Sequence, residues 1–227
     1  MHFSVMQSPS FAAVCFVAAL AGCGTTPETR SDTTQQVRTA QATLTNFQND
    51  PEMRGFRAHL KNAKAVVISP RVTKAGFVFG GSGGEALVLA RDKVGGWVGP
   101  AFYNMGAGSV GFQIGIEVSE VVILVMSEKA LNALLSRSFR LGADASIAAG
   151  PVGVGTASTV TADMVSFARS RGVYAGLSLD GAVLAPDTGA NSAFYGQPAS
   201  PVDILVRANV NNPAAAPLQR SLGQMAR

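Results

Sequence analysis

Residues 76–90 read Gly76-Phe77-Val78-Phe79-Gly80-Gly81-Ser82-Gly83-Gly84-Glu85-Ala86-Leu87-Val88-Leu89-Ala90. Two short apolar runs, one aromatic and one aliphatic, flank five small residues. Runs of this length bounded by glycine read as strands, and the glycines between them as a hairpin turn or glycine-rich loop. Downstream, Trp97 to Phe102, Ser109 to Ile116 and Val121 to Met126 read as further strands. Ser127 caps a short helix running to Ser136. Ala143 to Ala157 is a strand of small residues around Gly150-Pro151. Met164 to Arg169 and Val173 to Leu184 suggest a hairpin turned at Ser170-Arg171-Gly172. Asn191 to Tyr195 suggests a helical turn, and Pro201 to Val210 a last strand or helix. Few helices separate these strands, so a doubly wound parallel sheet is excluded. The expected class is α+β: a mostly antiparallel sheet or partly closed barrel, an N-terminal amphipathic helix, and one or two short helices.

Upstream the period is helical. Gln36 to Phe47 carries it, and so does Glu52 to Val67, where Met53, Phe56, Leu60, Ala63 and Val67 recur at spacings of three and four. Asp50-Pro51 supplies a cap and a first-turn proline. Ala65 to Ile68 suits either helix or strand. Arg54, Arg57, Lys61 and Lys64 repeat one residue behind the apolar stripe, and Arg71 and Lys74 follow. No acid falls within 54–74. Such a basic amphipathic helix suits an anionic lipid surface; an ordinary domain helix with a solvated basic side has the same pattern.

Charged residues are 14% of the 227, against a usual ~25%, while 47% are apolar, enough for a real core. The net charge of +4 is too diffuse for nucleic acid. Phe11 to Leu20 is an apolar run too short to span a bilayer and suited to a secretory signal. It ends in Leu20-Ala21-Gly22-Cys23, which resembles the bacterial lipobox, where the signal is cut before a cysteine that is then acylated. Residues 1–22 are therefore expected to be a cleaved leader, with Cys23 the lipidation site carrying palmitate-like acyl chains. Gly24, rather than Asp, implies the outer membrane, anchored in the cell envelope. Residues 23–36 read as a flexible tether, 37–210 as one domain, and 211–227, rich in Pro and Ala, as a loose tail.

The chemistry candidates are sparse. Past the leader only Cys23 and His59 remain, which excludes a disulfide and a Cys/His metal site. No cofactor motif is present. Gly80-Gly81-Ser82-Gly83-Gly84 matches G-x-S-x-G, but that elbow needs a helix after the serine and a later histidine. No histidine follows Ser82. The run also lacks the Lys-Ser/Thr of a phosphate loop; a backbone nest for an anion is the reading it leaves. Glu117 with Glu120, and Asp180 with Asp187, are near in sequence but read as solvated strand ends. His59 reads as a boundary residue. No enzyme is expected.

Several ordered motifs resemble the SYLF family. They are Phe77-Val78-Phe79-Gly80-Gly81, Trp97-Val98-Gly99-Pro100-Ala101-Phe102-Tyr103 and Ser109-Val110-Gly111-Phe112-Gln113-Ile114-Gly115. Gly142-Ala143-Asp144-Ala145 and Ala149-Gly150-Pro151-Val152-Gly153 come next. Arg169-Ser170-Arg171-Gly172-Val173-Tyr174-Ala175-Gly176-Leu177-Ser178-Leu179-Asp180-Gly181 and Phe194-Tyr195-Gly196 complete the series. The resemblance covers about Ala63 to Val206. It implies a lipid-binding domain, with membrane contact through a basic N-terminal helix at the place of Met53 to Lys64. Actin, bound by some eukaryotic relatives, is not expected as the partner of an envelope-anchored chain. The expected function is binding of anionic phospholipid headgroups through Arg54, Arg57, Lys61, Lys64, Arg71 and Lys74. The alternatives are an envelope structural protein that meets a protein or the cell wall, and a hydrophobic-ligand carrier.

Overall fold

The structure is a computed structural model and describes residues 28–76, 79–110, 115–150, 161–170 and 179–227. It opens with two helices, α1 (Arg30–Asn49) and α2 (Arg54–Leu60), joined by a 3-10 turn over Pro51–Met53. Four long strands follow: β1 (Ala65–Gly76), β2 (Phe79–Arg91), β3 (Trp97–Val110) and β4 (Gly115–Val125). Then come α3 (Glu128–Leu134), β5 (Phe139–Arg140), β6 (Ile147–Ala149), β7 (Met164–Ser170), β8 (Val183–Pro186), α4 (Thr188–Tyr195) and α5 (Ala216–Met225), with a π-helical turn over Asp203–Arg207 before α5.

The strands form one eight-stranded sheet in the order β5-β8-β3-β2-β1-β4-β7-β6, curled into a half-barrel. Every pairing is antiparallel except β6 with β7. The class is thus the α+β arrangement expected, with more helix than the sequence suggested. The described strand after β7, β8, pairs with β3 and β5 across the sheet, and the turn expected at Ser170-Arg171-Gly172 lies largely outside the described residues.

The sheet has two zones. In one, β1 from Ala65 to Ser69, β2 from Ala86 to Ala90 and β4 from Val121 to Val125 are buried without alternation. Continuous burial means that both faces are covered. Phe102 and Tyr103 show how. Neighbours on a strand point to opposite faces, and Phe102 meets Phe194 of α4 at 5.1 Å while the Tyr103 hydroxyl donates to the Leu134 carbonyl of α3 at 2.7 Å. Burial pushes the Tyr103 phenol far up. The Tyr195 hydroxyl donates to the Pro100 carbonyl at 2.9 Å, and Gly196 ends α4 in the left-handed region. The Phe194-Tyr195-Gly196 motif therefore fastens α4 to β3. In the other zone, towards Gly76, Gly80 and Gly115, the strands are glycine-rich and only partly covered.

The glycine run is a correction. Gly80 to Gly84 is not a turn but the interior of β2, paired with β1 on one side and β3 on the other. Ladder pairing uses the backbone N–H groups that an anion nest would need. Strand follows Ser82 where a nucleophile elbow needs a helix.

The ends of the domain are corrected too. Helix begins at Arg30, inside the expected tether. Thr29 and Asp32 form a reciprocal cap, and Thr33, Val37, Ala40, Leu44 and Phe47 form its buried stripe. The tail after Asn211 is ordered. Asn212 caps a 3-10 turn, and Pro213 and Pro217 occupy first-turn positions, where a missing N–H costs nothing. Leu218 and Leu222 are fully buried, and Gln219 Nε2 donates to the Gly99 carbonyl at 2.7 Å. Leu222→Ala should lower the unfolding free energy by about 2–5 kcal/mol in a urea titration; an unchanged midpoint would show that α5 adds nothing to the core.

Candidate functional site

The six basic residues of the 54–74 stretch do not form one stripe. Helix α2 has seven residues, and its apolar side chains Phe56 and Leu60 are fully buried, with Met53 beside them. That face is spent on the core, so it is not offered to a bilayer. Arg54 and Lys61 stand exposed at the two ends of α2. Arg57 turns back instead. Its Nη1 donates to the carbonyls of Phe47, Gln48 and Asp50 at 3.3, 2.9 and 2.9 Å, satisfying the open C-terminal end of α1. Lys64 pairs with Glu128 at 2.8 Å, a surface contact worth about 0–1 kcal/mol. Arg71 and Lys74 lie further along β1. At about 3.3 Å per residue, Lys74 is roughly 30 Å along the strand from Lys64.

Between these groups β1 carries one extra residue. Ile68 pairs with Leu87 and Thr73 with Gly83 across β2, and Ser69 pairs with Val121 and Val72 with Ser119 across β4. On both sides β1 has one residue more than its partner. This is a β-bulge at Pro70-Arg71, and proline, having no N–H to give a ladder, suits it. The bulge presses against β2: a Cβ on Gly84 would collide with the Arg71 carbonyl. Ser69 Oγ donates to the Glu85 carbonyl at 2.7 Å, replacing a ladder bond.

The bulge opens a cleft of about 650 Å³ against α1. Asp32, Gln36 and Thr39 line it from the helix, Arg71 from β1 and Glu85 from β2. Gln36 donates to Glu28 Oε1 at 3.1 Å. Burial raises the Glu28 carboxyl above its usual range. The Gln36 bond opposes that rise, and the charges of Asp187, Glu85 and Asp32 add to it.

A second polar cluster holds α1 to the sheet. Arg169 of β7 donates through Nε to Asp50 Oδ2 at 2.7 Å and through Nη1 to Glu120 Oε2 at 2.5 Å. Its guanidinium carbon lies 5.9 Å from the Phe47 ring centre. Glu120 Oε1 accepts from Asn46 Nδ2 at 2.7 Å and Thr43 Oγ1 at 3.3 Å. The Arg169 hydrogen bond, with help from the Glu52 backbone N–H, holds the Asp50 carboxyl below its usual range.

The remaining candidates are structural. Glu120 belongs to this cluster, while Glu117 accepts from Ser119 on its own strand. Asp187 caps α4 and accepts from Asn104, and Asp180 lies in an exposed turn. The His59 ring meets the Gly55 carbonyl at 2.8 Å. Among the described residues no group of His, Cys, Asp and Glu could hold a metal, and no helix is long and apolar enough to cross a membrane. Cys23 lies outside the described residues. Neither the Arg169 cluster nor the cleft is visible from sequence periodicity. Pro70, which cannot donate to a strand ladder, is the sequence feature that could have marked the bulge.

A carboxylate with a depressed folded pKa stabilises the fold above its unfolded value, and that contribution is lost as pH falls through the folded value. Asp50 contributes fully at neutral pH and loses its contribution below about pH 4. Arg169→Gln should therefore cost about 1.5–3 kcal/mol at pH 7. The difference from wild type should narrow below about pH 4. An equal loss at pH 7 and pH 3 would assign the effect of Arg169 to its packing over Phe47.

The model of the family described as "Ysc84: Las17-binding protein actin regulator" matches residues 106–225. A stretch of 171 residues is 39% identical to the SH3 domain-containing protein PJ696.02 of Schizosaccharomyces pombe, covering 72% of this chain and 39% of that protein. Protein YSC84 of Saccharomyces cerevisiae is 32% identical over 170 residues, 72% of this chain and 36% of its own length. The SH3 domain-containing YSC84-like protein 1 of Rattus norvegicus is 36% identical over 150 residues, 64% and 44% of the two chains. This chain thus spans less than half the length of these relatives. No solved structure matches.

Proposed function

The chain belongs to the Ysc84 (SYLF) family, and from that premise we propose that it is a membrane-anchored binding protein that recognises anionic phospholipid headgroups. The family is one of binding and regulatory domains rather than enzymes. The observation that supports the lipid reading is the unequal use of the basic residues. Arg57 and Lys64 are engaged within the protein. The side chains of Arg54, Lys61, Arg71 and Lys74 make no ion pair among the described residues. Each cation near an anionic surface contributes about 1 kcal/mol. Contact is electrostatic and lies on the surface, since the apolar face of α2 is buried. Acylation of Cys23 supplies the anchor, and the outer membrane is the compartment this reading assigns.

A second reading rests on the family's printed description, which names Las17 binding and actin regulation. On that reading the exposed cations meet an acidic protein partner of the envelope rather than lipid. Actin itself does not fit an envelope-anchored chain.

Co-sedimentation of the chain from Gly24 onward with vesicles separates the two. Lipid recognition requires pelleting with anionic but not neutral vesicles, steep loss with salt, and loss in Arg54→Glu/Lys61→Glu. Arg57→Glu should instead lower the melting temperature, because it uncaps α1. Indifference to vesicle charge would leave the acyl group as the sole membrane contact and favour the protein partner.

A further inference from the structure

The turn between β2 and β3 carries Val94, which at 92% is the most exposed large apolar side chain among the described residues. A lone exposed valine needs no explanation in itself; this one stands out for its support and its neighbours. Asp92-Lys93-Val94-Gly95 is a turn fixed from within. The Gly95 N–H donates to the Asp92 carbonyl at 3.2 Å, and the Asp92 N–H to the Gly96 carbonyl at 3.0 Å. Asp92 Oδ1 accepts from the Val94 and Gly96 N–H groups at 2.9 and 2.7 Å, so this acid is drawn into the turn. At the base of the turn Arg91 stacks over Trp97 and donates to the carbonyls of Gly95 and Lys61 at 3.4 and 3.0 Å. One guanidinium thus ties the turn to the end of α2 and brings Lys61 close to Lys93 and Val94. Lys61 and Lys93 are both exposed, and neither makes an ion pair among the described residues.

We propose that this turn is the point at which the domain enters an anionic bilayer, with Val94 in the acyl boundary and Lys61 and Lys93 on the lipid phosphates beside it. The inference rests on the lipid-surface reading above; it adds an apolar contact to the electrostatic one and orients the domain. Interfacial binding grows with the apolar area buried and with attraction to anionic lipid, and lysine stems can lie along the apolar layer while their ammonium groups stay in the headgroups. A narrow, convex apex suits a deformable bilayer, whereas a folded protein would have to offer it a pocket. The opposite end of the long strands is the poorer candidate. Ile116 is exposed there, but Lys74 stands across the β1–β4 ladder from Glu117, and Arg71 shares its cleft with Glu85. Cations are matched by acids at that end. Lys74 is level with Ser82 of β2, which at about 3.3 Å per residue places it roughly 30 Å from Arg91. That is well beyond the screening length of about 8–10 Å, so Lys74 does not share the surface that the turn meets.

The cysteines of the chain are Cys15 and Cys23. In the chain from Gly24 onward, which keeps every described element, Val94→Cys therefore supplies a single thiol for a polarity-sensitive fluorophore, and Ile116→Cys does the same at the far end. With phosphatidylglycerol-containing vesicles the label at 94 should shift to the blue and become shielded from aqueous iodide, while the label at 116 should do neither. In co-sedimentation with the same vesicles, Lys93→Glu should weaken binding about tenfold at low salt, an effect that shrinks as salt rises. Val94→Asp should weaken it about tenfold at every salt concentration, because the lost contact is apolar. Lys74→Glu should leave binding within twofold, and all three variants should keep the wild-type melting temperature. A blue shift at 116 and not at 94, or binding unchanged by Val94→Asp, would overturn the insertion. If that happened while Arg54→Glu/Lys61→Glu still abolished pelleting, the turn alone would fall and the surface reading would stand. No pelleting of the wild-type chain with anionic vesicles would remove the surface reading and the turn with it.

Discussion

Strand β1 is hydrogen-bonded along both edges, so the extra residue at Pro70-Arg71 has to be absorbed by β2 and β4 together. Much of the architecture answers that constraint. Gly84 leaves room for the Arg71 carbonyl, and Ser69 gives the Glu85 carbonyl the hydrogen bond that the interrupted ladder withholds. Opposite, on β4, Glu120 falls in the interrupted register and is taken up by Arg169 and by the side chains of α1. Bulges sharpen local twist and re-aim side chains. Here the bulge marks the boundary between the covered zone of the sheet and the glycine-rich zone, and the cleft opens at that boundary.

The arginines divide by what lies within their reach. Arg57 and Arg91 both serve backbone carbonyls at helix ends. Arg91 donates from Nε to the Ala63 carbonyl at 2.7 Å and from Nη2 to the Lys61 carbonyl at 3.0 Å, while stacking 4.7 Å over the Trp97 ring. The last carbonyls of a helix lack intrahelical donors and carry partial negative charge, so a guanidinium there is well used. Arg169 does the same for two carboxylates.

Capping and periodicity were legible wherever they act locally. Ser127 accepts from the Ala130 N–H, and Asp50 from the Glu52 N–H, as their sequence positions implied. The stripe Met53, Phe56 and Leu60 is buried as its spacing required. What the sequence hid depends on partners distant along the chain. Arg54 and Arg57 have the same spacing relation to the apolar stripe, yet only Arg57 meets the carbonyls where α1 ends. The glycine run suggests a turn because glycine tolerates turns, but here it serves close approach of neighbouring strands. The Pro- and Ala-rich C-terminal segment suggests looseness, yet its prolines start helical turns and its two leucines lie four apart.

The first helix and the last one shield each other: Gln41 of α1 reaches Ser221 of α5, and α5 also covers β3. Contacts between residues so far apart in sequence form late, because a large loop must close before they bring any gain. A nascent chain therefore cannot complete its hydrophobic seal until Leu218 and Leu222 have emerged from the ribosome.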